Sequence, residues 1–228
     1  MKRLILIRHG QSLWNLENRF TGWTDIDLSD KGREEAHEAG VKLLEAGIKP
    51  DFYFTSFLRR AIHTLQIVAE TIGRDWIPVV KDWHLNERHY GALQGLNKSD
   101  TANEFGEKQV HEWRRGFDER PPLLSRDDER FPGNDERYSR LTDDELPLSE
   151  SLHDTIERVR CCWEEKIVPA LNYNNEVMVV AHGNSLRALL MMLCHLNQTE
   201  IQEVELPTGT PLVIEVDDRI NVVGKYYL

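Results

Sequence analysis

Two short, uninterrupted apolar runs, Leu4-Ile5-Leu6-Ile7 and Val177-Met178-Val179-Val180-Ala181, each lead into a His-Gly dipeptide. Runs of this length, rich in β-branched residues and closed by glycine, read as strands buried on both faces in a parallel sheet. In open α/β sheets the ligand crevice lies just beyond the carboxyl ends of the strands. His9, preceded by Arg8 and followed by Gly10, and His182, followed by Gly183, would both emerge there. Either histidine alone suits an incidental place at a strand end. The two together, with an arginine beside the first, point to a catalytic pair.

The chain has 228 residues, enough for one large α/β domain or two small ones with a substantial core. Its net charge of -11 argues against nonspecific binding of nucleic acid and against docking to anionic membranes. The longest apolar stretch, residues 186–196, is interrupted by Arg187 and His195 and falls short of a membrane span. The basic start, Met1-Lys2-Arg3, is followed by too short an apolar run for a secretory signal. Three cysteines, the neighbours Cys161 and Cys162 plus Cys194, suit a reducing cytosol, so a cytoplasmic protein is expected. No Cys/His spacing fits a structural zinc site, and no metal is expected.

Strand-like and helix-like patterns alternate along the chain. Ser29 reads as the N-cap of a helix running to about Ala46, with Gly47 closing it. A second strand follows at 51–55. Ser56 then reads as the cap of a helix with Leu58, Ile62, Leu65, Ala69 and Ile72 on one face. A third strand is expected at 76–80. A long amphipathic helix spans Leu152 to Ile167, and an almost wholly apolar, buried helix follows His182-Gly183. Thr199 with Gln202 reads as a capping box, and two last strands fall near 212–216 and 221–225. The order predicts a single α/β domain over 1–228, with a mostly parallel sheet flanked by helices on both faces. The charged, proline-containing stretch from about Lys98 to Glu150 breaks the rhythm. It reads as a lid-like insertion over an active site, or as a solvated excursion.

A protein this acidic needs a local reversal of field to handle an anion. Arg8, Arg60, Lys98, Arg114 and Arg115 are the candidate cations. Arg60 falls in the first turn of its helix, where the macrodipole disfavours a cation. A bound phosphate would compensate, and so would a surface salt bridge. Glu87, after the third strand, suits a general acid/base or a partner for Arg88. Asn15, Thr21 and Asn184 are small hydrogen-bonding residues after the histidine motifs, and Thr21-Gly22 suits a tight turn. A histidine nucleophile attacking phosphorus makes sense of this set. Neutral imidazole attacks without a separate base, and arginines with a second, protonated histidine can stabilise the equatorial oxygens without a metal.

The stretch Leu6-Ile7-Arg8-His9-Gly10-Gln11-Ser12-Leu13-Trp14-Asn15 resembles the signature of the histidine phosphatase superfamily. Phe20-Thr21-Gly22-Trp23, the block from Asn86 through Lys98, Trp113-Arg114-Arg115 and Ala181-His182-Gly183-Asn184-Ser185 are similar to the cofactor-dependent phosphoglycerate mutases. The resemblance covers nearly the whole chain. It implies that His9 is the phosphorylated nucleophile and Glu87 the proton donor and acceptor, with Arg8, Arg60 and His182 around the transferring phosphoryl group. It implies a substrate site lined by Gln11, Ser12, Asn15, Thr21, Gly22, Arg88, His89, Tyr90, Lys98, Arg114, Arg115, Gly183 and Asn184. It also implies phosphoglycerates as substrates, 2,3-bisphosphoglycerate as the priming phosphoryl donor, and a homodimer or homotetramer. Ser12 and Thr21-Gly22 resemble the mutases, whereas the related bisphosphoglycerate synthases tend to carry glycine and Cys-Ser there. Many relatives continue into a tail that helps cover the site. With the sequence ending at Leu228, shielding of the phosphohistidine is expected to fall on residues 98–150. The expected activity is interconversion of 2- and 3-phosphoglycerate, with hydrolysis of small phosphate esters as the alternative.

Overall fold

The computed structural model describes residues 2–228. In chain order it contains β1 (Lys2–Arg8), α1 (Leu13–Leu16), α2 (Asp30–Glu45), β2 (Phe52–Thr55), α3 (Arg59–Thr71) and β3 (Val79–Lys81). There follow α4 (Lys98–Phe105), α5 (Glu107–Arg115), α6 (Leu152–Cys162), α7 (Val168–Tyr173), β4 (Glu176–Ala181), α8 (Gly183–Cys194) and α9 (Gln198–Glu203), then β5 (Pro211–Val216) and β6 (Val222–Tyr227). The strands form one sheet in the order β3-β2-β4-β1-β5-β6. The first four are parallel, and β5 and β6 are added antiparallel at one edge.

The two apolar runs are the centre of this sheet. β1 and β4 pair in parallel from Arg3 with Glu176 to Arg8 with Ala181. Alternate side chains serve opposite faces, as the strand period of two demands. Leu4, Leu6, Val177 and Val179 pack with α6 and α8, whereas Ile5, Ile7, Met178 and Val180 pack with α2 and α3. Each fully buried aliphatic side chain contributes about 1.5–3 kcal/mol. The strand ends that carry the two histidines are therefore among the most firmly held parts of the molecule. No described helix is long and apolar enough to cross a membrane.

Several local expectations are corrected. Ser29 does cap α2, accepting from the Gly32 amide, but Ser56 does not cap α3. The N-cap is Leu58, itself extended, and Ser56 Oγ accepts from the Leu58 amide before the helix begins at Arg59. The third strand is Val79–Lys81, not 76–80, and Trp76 lies before it at 71% exposure. The capping box of α9 is Asn197 with Glu200, two residues ahead of the expected pair. The long amphipathic helix passes through a π-helical turn at Trp163–Ile167 before α7. Pro169 at the start of α7 has no N–H to continue the ordinary ladder.

The 98–150 stretch is folded rather than irregular. Beyond α4 and α5 it makes two single 3-10 turns, Pro132–Asn134 and Glu136–Tyr138. Leu124, Phe131, Tyr138 and Leu146 form a small core of their own around Trp23. A second cluster joins Val110 and Trp113 of α5 to Phe20 and Leu93. The aromatic residues of 20–23 thus tie the insertion to the loop that follows the first histidine.

Candidate active site

Hydrogen bonding between β1 and β4 continues one step beyond the strands, because the His9 amide donates to Ala181 O at 2.9 Å. This brings the His9 and His182 rings to a centroid distance of 4.9 Å, both buried. The turn after His9 is pinned by the Gly10 amide, which donates to Thr64 Oγ1 of α3. Gly10 also lies against the first turn of α2 so closely that a β-carbon would collide with the Gly32 backbone. Glycine is required there by approach, not by dihedral angle.

A hydrogen bond to a carbonyl fixes the tautomer of His9. His9 Nδ1 lies 2.7 Å from Gly10 O, which can only accept, so Nδ1 carries the proton and Nε2 holds the lone pair. Arg60 Nε donates to that Nε2 at 3.3 Å. Burial, reinforced by Arg60 and Arg8, pushes the His9 pKa well below the usual histidine value. Its imidazole is neutral at pH 7. On the other ring, Ser56 Oγ already accepts from the Leu58 amide and lies 2.8 Å from His182 Nε2. The serine hydroxyl can donate to Nε2, an arrangement that leaves Nδ1, which has no partner among the described residues, as a buried donor. Burial, followed by Arg60 and His9, also lowers the His182 pKa. The expected protonated second histidine is therefore neutral before any anion is bound.

Arg60 is almost fully buried, and no carboxylate among the described residues lies within ion-pair distance of it. Instead its guanidinium donates to Gly22 O at 2.7 Å and Thr24 O at 3.0 Å. Gly22 has φ +55°, and a β-carbon there would strike the Gln94 side chain, so the Thr21-Gly22 turn depends on glycine. Burial lowers the Arg60 pKa to about 10, which still leaves it charged at neutral pH. Desolvating an unpaired guanidinium costs several kcal/mol, a cost that an incoming anion would offset.

Glu87 reaches the same cavity from the loop after β3. Its Oε1 accepts from the Arg88 amide at 2.8 Å and from the Asn184 amide in the first turn of α8 at 3.1 Å. Its carbonyl is held by Trp23 Nε1 at 2.6 Å and by Arg158 Nη2 at 3.3 Å. Asn184 Nδ2 donates to the Tyr90 hydroxyl, whose pKa burial raises. Arg8, Asn15, Thr21, Gly22, Lys98, Arg114, Arg115 and Gly183 complete the expected lining. Lys98 is pushed down to about 8 by burial, with Arg114 and Arg8 adding to the effect.

Four residues expected to touch substrate face elsewhere. Gln11 bonds to Ser29, and Ser12 caps α1 in a reciprocal pair with Asn15, which it holds toward the cavity. Arg88 points into the protein and donates to the carbonyls of Gly116, Glu119 and Glu150. His89 is buried, accepts from the Gly91 amide through Nδ1, and has its pKa lowered to about 3 by burial. Two lining arginines were not expected: Arg19 and Arg187. Arg187 stands one helical turn after Gly183 on α8, and only that i,i+4 spacing could have drawn it out of its apolar helix. Arg19 carries no comparable signal.

Seven buried side-chain polar atoms lack a partner among the described residues. All but Thr24 Oγ1 belong to this site: Arg8 Nε, Thr21 Oγ1, Arg115 Nη1, His182 Nδ1, Asn184 Oδ1 and Arg187 Nη2. Each such orphan costs about 1–3 kcal/mol. Three are donors on cations and a fourth is an imidazole nitrogen, which is the chemistry of an anion site. No group of three His, Cys, Asp or Glu side chains among the described residues is placed to hold a metal.

The fold is shared with solved structures. A mycobacterial glucosyl-3-phosphoglycerate phosphatase solved with VO3 superposes at TM-score 0.74 with 23% identity, over 100% of this chain and 97% of that one. A putative alpha-ribazole-5'-P phosphatase from Escherichia coli gives 0.71 with 20% identity, over 98% and 94%. YhfR from Bacillus stearothermophilus gives 0.71 with 23% identity, over 97% and 94%. The sequence pattern of the histidine phosphatase superfamily (branch 1) matches residues 4–227, and the chain belongs to that superfamily.

Proposed function

We propose that this protein is a phosphoglycerate mutase that interconverts 2- and 3-phosphoglycerate through a phosphohistidine at His9. One observation carries this reading. The cavity that holds His9 is also lined by Lys98, Arg114 and Arg115, cations that the transfer of a single phosphoryl group does not require. A substrate that must be held by a second anionic group while its phosphate moves does require them.

In this mechanism the lone pair of His9 Nε2 attacks phosphorus, and the phosphorus–ester oxygen bond breaks. Glu87, as the carboxylic acid, protonates the departing oxygen, and as the carboxylate takes the proton from the hydroxyl that next attacks the phosphohistidine. Arg8 Nε, Arg60 and His182 Nδ1 supply positive or donor groups to the equatorial oxygens of the transferring group. When bound, 2,3-bisphosphoglycerate supplies the phosphoryl group that loads His9. The unpartnered nitrogens on Arg8, His182, Arg115 and Arg187 fit a ligand with more than one anionic group.

Hydrolysis of a phosphate ester through the same phosphohistidine is the second reading, favoured by the activities named for two of the fold neighbours. Supplying 3-phosphoglycerate with and without 2,3-bisphosphoglycerate separates the two. The mutase reading expects 2-phosphoglycerate, stimulated by the bisphosphate, with little free phosphate. Free phosphate without 2-phosphoglycerate would replace it with the phosphatase.

A further inference from the structure

Three guanidinium groups of the cavity are held by three consecutive residues of one loop. Arg187 Nε donates to Val204 O at 3.0 Å, Arg115 Nη2 to the Glu205 carboxylate at 3.0 Å, and Arg8 Nη1 to Leu206 O at 2.9 Å. Each group leaves one buried nitrogen without a partner: Arg187 Nη2, Arg115 Nη1 and Arg8 Nε. The loop itself is anchored on both sides. Leu206 is buried in the main core, and the Tyr227 hydroxyl donates to Glu205 O at 2.9 Å.

Arg187 is the least explained of the three. It is only 4% exposed, and no carboxylate lies within ion-pair distance of it among the described residues. Helical side chains lean toward the N-terminus of their helix, so Arg187 runs back along α8 toward Gly183. A β-carbon on Gly183 would lie 3.2 Å from Arg187 Nη1, 3.7 Å from Glu87 Oε2 and 3.8 Å from Arg8 Nε. The absence of a side chain at 183 thus opens the guanidinium to the substrate cavity. A surface cation would gain nothing from this arrangement, and a purely structural one would have both ends of its fork paired.

Resting on the reading above, we propose that Arg187, together with Arg115, binds the substrate carboxylate, which stays on the substrate throughout. This makes it a specificity-determining residue that favours phosphorylated hydroxy acids over phosphate esters of neutral alcohols. Arg8, at the other end of the loop, serves the phosphoryl group. Residues 204–206 then set the spacing between the two anion subsites.

Calorimetric binding of three probes tests this: 3-phosphoglycerate, glycerol 3-phosphate and inorganic phosphate. Glycerol 3-phosphate keeps the ester but carries a hydroxymethyl group where the carboxylate stood. The protein should prefer 3-phosphoglycerate over it, and Arg187→Gln should reduce that preference by about tenfold or more, as expected for a charged hydrogen bond. Affinity for the other two probes should change by less than about twofold. No preference in the unsubstituted protein, a preference that survives the substitution, or an equal loss for all three probes would each overturn the proposal. Should Arg187→Gln fail to fold, nitrogen NMR of the arginine side chains in the unsubstituted protein answers the same question. The Arg187 Nε–H signal should move with 3-phosphoglycerate and stay put with glycerol 3-phosphate, and any other pattern overturns the assignment. Because binding alone is read, selective binding without mutase turnover would leave Arg187 in place while removing the mutase reading.

Discussion

At the inner end of the cavity, His9, Arg60 and His182 are each tied to a carbonyl or a buried hydroxyl, on elements packed into the centre of the sheet. At the outer end, Lys98, Arg114 and Arg115 stand on the short helices α4 and α5, and Arg115 is paired with a largely exposed Glu205. The inner groups have their orientations set before any ligand arrives, the condition under which electrostatic stabilisation of a transition state costs least reorganisation. The outer groups hold charge in a setting where a ligand can compete for it. On the proposed mechanism, the inner end would govern turnover and the outer end which anion is accepted.

The sharpest way to break this contrast is to remove the nucleophile. His9→Ala should lose acid-labile, base-stable label from 2,3-bisphosphoglycerate, and turnover should fall by at least about 10,000-fold. Label retained at full level would show that another residue carries the phosphoryl group. Glu87→Gln should come next, slowing turnover by about 100- to 10,000-fold while ligand binding stays nearly intact. Its neighbours Arg88 and Asn184 donate from the backbone, so the amide substitute can keep the same place.

A finer test of the inner end is the hydroxyl behind His182. If the Ser56 hydroxyl donates to Nε2, Ser56→Ala should let the ring sample both tautomers, and turnover should fall by roughly tenfold. Nitrogen NMR of His182 reads the tautomer directly, and Ser56→Thr should restore both tautomer and rate. A single unchanged tautomer in Ser56→Ala would leave the serine with a packing role only.

How far this site is visible in the sequence follows the same division. The apolar runs of β1 and β4 declare themselves because strands buried on both faces have no polar positions, and His9 and His182 are placed by the strand ends alone. β3 is hidden because it is three residues long at the sheet edge, with Val79 exposed, so the aromatic Trp76 draws the expectation too early. The core of the insertion is hidden for another reason. Leu124, Phe131, Tyr138 and Leu146 follow no helical or strand period, and Trp23, which they surround, lies far away in sequence. Arg88 and His89 show that a contiguous motif does not tell which of its side chains face the cavity. The folded state points Glu87 one way and the next two residues into the protein. Arg187 was obscured by its own helix, where nearly every neighbour is apolar.

The smallest expected effect belongs to the outer end and is a matter of pH. Lys98 keeps its charge below about pH 8, because burial, Arg114 and Arg8 together hold its pKa there. Its charge, and with it the attraction for an anion, is fully present at pH 7 and is lost as the pH rises through about 8. A bound anion favours the charged form and raises the pKa again, so binding near pH 8 should take up protons. If the bound state restores an ordinary lysine, affinity for 3-phosphoglycerate should weaken by about tenfold between pH 7 and pH 9. Turnover at saturating substrate should change much less, because His9 is neutral across that range. Lys98→Met should bind more weakly at pH 7 and lose most of the slope. If the slope persists in that variant, a different group titrates, and Lys98 is no part of the contrast between the two ends.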